Sequence, residues 1–288
     1  MTHVSPTLPL ARRLRRARWF RHGGFMLGGA ILAIVVVMAV LAPVLAPFDP
    51  YLQSLGDRFT PPIWHETGSW THPLGTDHLG RDYLSRILYG AQISLAIGFG
   101  TILLSGLIGT AIGVAAGYFG GRVDAVAMFV ITARLSMPVI LVALVGSSLQ
   151  IVILTLGLLL WDRFALVTRA MTIQIRSEDY VTAAKLQGAS VVEVIRRQIL
   201  PNLVNNIVVV ATLEMAHAII LEAALSFLGL GVPAPLPSWG LMISEAKASI
   251  LFEPWLITIP GTFLFMLVLG TNLFGDGLRD VTSPQGRN

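Results

Sequence analysis

Cysteine is absent from the 288-residue chain, and charged residues are scarce, at 12% of the total. The absence of thiols excludes disulfide bonds, thiolate metal sites and a cysteine nucleophile. A soluble globular domain normally has about a quarter of its residues charged. With 54% hydrophobic residues and a mean hydropathy of +0.73, this chain has more apolar surface than one aqueous core can bury. The composition therefore predicts an integral membrane protein.

The sequence also lacks the short motifs that carry several common chemistries. It contains no G-x-x-x-x-G-K-[ST] phosphate-binding loop, and not even a Gly-Lys pair. Any ATP-driven step would therefore need another polypeptide. The apolar segments contain no His-Glu-x-x-His, no Gly-x-Ser-x-Gly and no paired aspartates, which argues against an intramembrane enzyme. We expect no catalytic residue and no metal site in this chain.

Six apolar segments are long enough to cross about 30 Å of hydrocarbon as helices, which predicts an all-α fold. The first, 23–46, follows a basic N-terminus at 1–22 that holds six arginines. A signal peptide has a shorter apolar region and a small-residue cleavage site, so we interpret 23–46 as an uncleaved anchor. The other five spans lie within 92–288: 92–117, 124–146, 149–171, 203–230 and 254–275.

The segment 47–91 is polar and rich in proline and aromatic residues, which suits a membrane interface. Asp82 is placed to cap a helix whose apolar residues share one face, and we expect that helix to lie on the membrane surface. The following span carries Gly109, Gly113 and Gly117 at four-residue spacing. This spacing predicts a helix surface that a neighbouring backbone approaches closely.

Lysine and arginine orient the spans. With the N-terminus inside, fourteen of the twenty basic residues fall in inside segments. The segments predicted to lie outside contain only Arg58, Arg81, Arg86 and Lys247. This bias predicts that both termini are cytoplasmic and that 47–91 is extracytoplasmic. The pI near 9.8 reflects an excess of basic residues, and in a membrane protein such an excess usually marks the cytoplasmic face. We therefore expect no nucleic-acid partner.

The polar insert 177–202 lies between two apolar spans on the cytoplasmic side. Glu178 and Asp179 at its start and Lys185 near Gly188 predict a short helix that ends at the glycine. Ser190-Val-Val-Glu193 is a capping box for a second helix, and Pro201 either ends that helix or begins the next. Three interpretations are a DNA-binding helix-turn-helix, a connector without a partner, and a docking element. Both ends of the insert lie within a few residues of the bilayer, which leaves no room to reach a major groove. Docking is therefore favoured over DNA binding and over the connector.

Several stretches then resemble a known family. "AAKLQG" (183–188) followed by "ILP" (199–201) is similar to the coupling loop, the EAA motif, of ATP-binding-cassette importer permeases. Three further matches resemble the branch that handles peptides and nickel: "HPLGTDHLGRDYLSRILYGAQISL" (72–95), "GYFGGRVD" (117–124) and "EAALSFLGLGVPAPLPSWG" (222–240). The resemblance covers nearly the whole chain and is strongest to the second permease subunit of a dipeptide or oligopeptide importer.

The resemblance implies a type I importer permease fold in the cytoplasmic membrane of a prokaryote, working by alternating access. It implies a homologous second permease, two ATP-binding subunits or one fused, an extracytoplasmic peptide-binding protein, and surrounding lipid. ATP and Mg²⁺ would bind to the ATPase subunits, and this chain would hold no cofactor. Nickel, haem or glutathione remains an alternative cargo within the family. A secondary transporter or a membrane scaffold is a further alternative; secondary transporters usually show internal repeats, which this sequence lacks.

The resemblance makes 92–288 the permease core and 177–201 its cytoplasmic coupling loop. It assigns the ATPase contact to one set of loop residues: Tyr180, Thr182, Ala183, Ala184, Lys185, Gly188, Ala189, Leu200 and Pro201. Two positions depart from the family pattern. Thr182 stands where the motif has glutamate, and Gln198 stands where isoleucine is usual. Because threonine has no charge, a salt bridge from position 182 to the ATPase is impossible.

Ionisable residues within spans are costly and usually face a bundle interior or water. Glu214, His217 and Glu222 share one side of the fifth span and are candidates for a translocation path. For Glu222, a hydrogen bond between helices is an equal alternative. We expect Arg134 and the pair Asp162–Arg163 to form ion pairs across helices.

Outside the membrane, Asp77, Arg81 and Asp82 are expected to be turn and cap residues. Contact with the binding protein is the alternative for these three side chains.

Overall fold

A computed structural model describes residues 23–136 and 148–282, and there the chain is helical, without a β-strand. One isolated bridge pairs Thr76 with Asp82. The predicted all-α class is therefore confirmed. The helices of four residues or more are α1 (Gly23–Leu45), α2 (Tyr83–Phe119), α3 (Gly121–Leu135), α4 (Leu149–Leu159), α5 (Trp161–Arg176), α6 (Asp179–Leu186), α7 (Val191–Phe227), α8 (Trp239–Glu245), the 3₁₀ helix Ala246–Ser249, and α9 (Trp255–Thr282).

Five helices in the described part of the chain are long and apolar enough to span a membrane: Gly23–Leu45, Tyr83–Phe119, Leu149–Arg176, Val191–Phe227 and Trp255–Asp280. They correspond to five of the six predicted spans. The remaining one, 124–146, is described only up to Ser136, where it forms α3. Its second half lies outside the described residues, as do the basic N-terminus 1–22 and residues 283–288. The six-span count therefore stays a prediction.

The separate surface helix expected within 47–91 is wrong. Asp82 does cap a helix, since its carboxylate accepts a hydrogen bond from the backbone N–H of Ser85 at 2.7 Å. That helix is α2, which continues without a break through the second span to Phe119. No proline or capping glycine interrupts it between Tyr83 and Phe119, so the backbone ladder has no reason to end near residue 91.

The glycine row of α2 packs directly against α5. A Cβ atom at Gly109 or Gly113 would overlap the α5 backbone, and one at Gly117 would lie 2.7 Å from the Arg169 carbonyl oxygen. Helix backbones approach this closely only where side chains are absent. The predicted close approach is thus confirmed, and it fixes α5 beside α2.

The helix pair α4 and α5 fills the fourth predicted span but bends at Leu160, whose backbone (φ −106°, ψ 9°) leaves the helical region. α5 begins immediately afterwards, with Asp162 in its first turn, where a carboxylate complements the helix dipole. The N-terminus of α5, with Asp162 and Arg163, therefore lies near the middle of the span Leu149–Arg176.

α8 closes the end of the bundle opposite the polar insert. Trp239 is fully buried, and its Nε1–H donates to the Ile87 carbonyl oxygen at 3.0 Å. A Cβ at Gly90 would lie 2.6 Å from the Trp239 ring, so this glycine makes room for the indole. Tyr83 and Trp255 pack edge to face in the same core. α8 is consequently held against α2 and α9.

Candidate functional site

The polar insert folds as the predicted helix, glycine turn and helix. α6 ends in a Schellman motif, in which Gly188 N–H donates to Lys185 O at 3.0 Å and Ala189 N–H donates to Ala184 O at 3.1 Å. Gly188 has φ +87°, a left-handed conformation that glycine adopts at little cost. Ser190 then caps α7, because its hydroxyl accepts from Glu193 N–H at 3.2 Å. The sequence signals for both helix ends are confirmed.

Pro201 neither stops α7 nor begins a new helix after a gap. Residues Ile195–Ile199 form a π turn, in which Leu200 N–H donates to Ile195 O across five residues. Pro201 follows in the next turn, and α7 continues to Phe227. Proline lacks the N–H that a regular ladder needs, and the local change of hydrogen-bond spacing accommodates it. The insert is therefore continuous with the fifth span.

The insert presents most of the predicted coupling residues to solvent. Tyr180, Thr182, Ala183, Lys185, Gly188 and Pro201 are exposed, whereas Ala184, Ala189 and Leu200 are half-buried. Leu186, which was not among the predicted contacts, is 85% exposed at the end of α6. A concavity of about 300 Å³ lies between α6 and α7, lined by Ala184, Gln187, Gly188, Ala189, Glu193, Val194, Arg197 and Gln198. Such a concave surface with an apolar tip suits a docked partner.

A second cluster of candidate site residues lies in the apolar spans. Glu214 on α7 is 2% exposed, and its Oε1 lies 3.1 Å from Nη1 of Arg163 on α5. Glu214 Oε2 lies 3.8 Å from Nδ1 of His217 on the next turn of α7. Arg134 of α3 pairs with Asp162 of α5 at 3.2 Å. The expected pairing of these charges across helices is thus observed.

The three predicted path residues do not form one cluster. Glu222 is 1% exposed and accepts hydrogen bonds from the hydroxyls of Ser226 (2.7 Å) and Ser238 (3.0 Å). It therefore ties α7 to the start of α8 inside this chain, as the hydrogen-bond alternative expects. The candidate role of Glu222 in the path stays a prediction. Glu214 and His217 remain together, and Arg163 joins them.

Two models of known protein families match the sequence. A family model described as "Binding-protein-dependent transport system inner membrane component" matches residues 109–285. The chain belongs to this family. A second model, the N-terminal TM domain of oligopeptide transport permease C, matches residues 11–62. The predicted location in the cytoplasmic membrane of a prokaryote agrees with membership of this inner membrane family.

Individual proteins are similar to nearly the whole of this chain. The dipeptide transport system permease protein DppC of Haemophilus influenzae is 38% identical over 275 residues, covering 93% of each chain. DppC of Bacillus subtilis is 38% identical over 290 aligned residues, covering 99% of this chain and 87% of the relative. A chain from inward facing conformations of the MetNI methionine ABC transporter shares the fold, with TM-score 0.54 and 19% identity over 69% of this chain and 97% of that one.

The chain has a buried ionic network at the end of the bundle opposite the insert. Arg81 Nε lies 2.6 Å from Asp77 Oδ2, and Arg86 Nη1 contacts both Asp77 and, at 2.8 Å, Glu245. Burial alone would raise the pKa of the Asp77 carboxyl. Arg86, Arg81 and the backbone N–H groups of Arg81 and Leu79 outweigh that effect, so the pKa lies below its ordinary value.

This network bears on the predictions for the segment before α2. Asp77, Arg81 and Asp82 are buried, so the structure favours turn and cap roles for them over contact with a binding protein. Their expected roles in turns and caps are confirmed, since Asp77 Oδ1 accepts from Leu79 N–H and Arg81 N–H at 2.8 and 3.0 Å. Sequence reasoning missed Arg86 and Glu245 as members of the network, because Glu245 is distant in the chain from both arginines that it contacts.

Proposed function

We propose that this chain is a permease subunit of an ATP-binding-cassette importer that moves dipeptides and oligopeptides into the cytoplasm. It holds no cofactor, and ATP and Mg²⁺ bind to separate ATPase subunits. The observation that carries the proposal is the exposed helix–turn–helix of α6 and α7 between two membrane spans. A chain without a phosphate-binding loop needs such a surface, because ATP binding and hydrolysis on a partner can change its conformation only through a contact between the two subunits.

The second part of the proposal is the assembly. An apolar groove of about 640 Å³ runs between α2, α5 and α7, lined in part by Leu103, Leu107, Phe164 and Ile207. We assign this groove to contact with a homologous second permease within the membrane. An extracytoplasmic binding protein delivers the cargo at the end formed by 47–82 and α8. Peptide cargo is supported by the names of the relatives, whereas nickel, haem or glutathione is the alternative within the family.

Docking of the ATPase is tested with Leu186→Glu. Leu186 is 85% exposed on α6, so a charge there does not disturb the fold but removes an apolar contact from the docking surface. We expect Leu186→Glu to reduce co-purification of the ATPase subunits with the permease pair at least tenfold. The matched control is Leu251→Glu, which is 87% exposed at the opposite end of the molecule and should leave co-purification intact.

Transmission is tested with ATP-driven uptake of a labelled dipeptide into proteoliposomes that hold the complete importer. Gly188→Ala strains the left-handed turn between α6 and α7 by roughly 1–2 kcal/mol. Gly229→Ala imposes the same kind of strain at φ +79° after α7, away from the insert. We expect Gly188→Ala to lower uptake and Gly229→Ala to preserve it. Equal uptake in both variants would make the insert a connector, and labelled nickel in place of dipeptide tests the alternative cargo.

A further inference from the structure

The charged cluster at membrane depth has an outward-facing side. Arg163 lies fourteen residues from the start of the span Leu149–Arg176 and thirteen from its end. Its side chain is nevertheless 56% exposed on the surface of this chain, and that of His217 is 44% exposed. A guanidinium at the middle of a bilayer is costly against lipid. This face of α5 and α7 therefore meets water or a polar ligand.

The two exposed side chains are positioned by one buried carboxylate. Glu214 lies beneath them, with Oε1 3.1 Å from Arg163 Nη1 and Oε2 3.8 Å from His217 Nδ1. Glu214 Oε2 is buried and makes no hydrogen bond to any described residue. Glu214 thus brings Arg163 and His217 to one buried carboxylate while part of each of the two side chains stays exposed. The guanidinium of Arg163 has paired N–H donors that match the two oxygens of a carboxylate, and the exposed His217 ring is a further polar group of the same cluster.

The charges of the neighbouring residues limit what this site accepts. Arg134 and Asp162 neutralise each other at 3.2 Å, and Arg163 and Glu214 form a second neutral pair. The cluster therefore has a formal charge of zero with His217 neutral and +1 with His217 protonated. With His217 protonated, the +1 charge of the cluster matches a single carboxylate. A multiply charged anion would lack compensation at membrane depth.

We propose that Arg163 and His217 bind the C-terminal carboxylate of the peptide cargo during its passage, with Glu214 as the positioning residue. This inference rests on the proposed function. Peptides with different side chains share their backbone and termini, so a path that accepts many peptides recognises a terminus. Arg163 supplies the bidentate donor pair for that group, which a lysine at the same position does not.

The experiment compares a dipeptide that has a free carboxylate with its C-terminal amide, in proteoliposomes that contain the whole importer. The affinity of the binding protein for each peptide is measured separately, and uptake is recorded above both saturating concentrations. We expect the wild type to transport the free acid faster than the amide at saturation. In Arg163→Lys, uptake of the free acid should fall at least tenfold while that of the amide changes little, so the ratio approaches one.

Two further variants exclude a structural explanation. Arg163→Gln combined with Glu214→Gln removes the ion pair without leaving a buried unpaired charge, and it should show the same loss of discrimination. Arg122→Gln removes an exposed arginine outside the cluster and should keep the wild-type ratio.

An unchanged ratio in Arg163→Lys overturns the proposal. Loss of the second permease from the purified complex also overturns it, since Arg163 would then serve the subunit contact. Absence of uptake of either peptide by the wild type would instead contradict the proposed function.

Discussion

Asp77 is the residue on which the outer ionic network depends, because its carboxylate contacts both Arg81 and Arg86. Asp77→Asn leaves two buried guanidinium groups with Glu245 as their remaining carboxylate among the described residues. Breaking a buried ion pair on one side typically costs about 3–5 kcal/mol. We expect a clear fall in the thermal unfolding midpoint of the purified permease. Asp57→Asn, at an exposed carboxylate in the same segment, is the control and should change the midpoint little.

The same residue gives the unfolding midpoint a defined pH dependence. The pKa of Asp77 is lower in the folded protein than in the unfolded chain, where it is about 3.9. Its ionised form therefore stabilises the fold fully above that value, and the contribution is lost as the pH falls through the folded pKa. The difference in midpoint between wild type and Asp77→Asn should stay constant from about pH 5 to 8 and shrink below about pH 4. A difference that widens in acid would contradict this assignment.

The structural role of a single residue could be predicted where it depends on residues nearby in the sequence. The caps at Asp82 and Ser190 and the glycine turn at Gly188 depend on neighbours a few positions away, so the sequence specifies them. Partners distant in the chain were not predictable. Glu245 lies 164 positions from Arg81, and nothing in either neighbourhood indicates that packing brings them together. Glu222 shows the same limit, because its hydrogen bond to Ser238 depends on the turn between α7 and α8.

Between elements, the contact of α2 with α5 depends on glycine. Gly113→Ala would place a Cβ against the backbone of α5, 2.9 Å from the Arg169 nitrogen, so the helices must separate. Overpacking of this kind costs about 1–3 kcal/mol. We expect a lower unfolding midpoint for Gly113→Ala. The control is Gly261→Ala in α9, where an added Cβ meets no atom within 4 Å and the midpoint should not fall.

Helix positions followed from apolar length, but helix continuity did not. The predicted span 92–117 lies within α2, and 203–230 begins within α7 and ends three residues after it; each of these helices contains 37 residues. Hydropathy falls where a helix leaves the hydrocarbon, although its backbone hydrogen bonds continue into the polar segment. The bend at Leu160 was missed because no proline stands there and the apolar run Leu158–Trp161 continues through it.

For the whole molecule, the absence of cysteine makes the predicted orientation directly testable. Single cysteines at Glu66 and Gln187, both exposed, can be labelled with a membrane-impermeant maleimide. We expect Glu66→Cys to react in intact spheroplasts and Gln187→Cys to react only in inverted vesicles. The cysteine-free wild type is the background control. The reverse pattern would invert the molecule and place the insert on the side without ATP.

The unbroken course of α7 has a mechanical consequence. Val191 at the edge of the insert and Glu214 in the charged cluster belong to one helix, 23 residues apart, or about 35 Å at 1.5 Å per residue. A rod of that length tilted by roughly 10° about its cytoplasmic end moves Glu214 by about 6 Å. A small swing of the subunit docked at one end thus becomes a displacement the size of an amino-acid residue at the other, along a single lever arm.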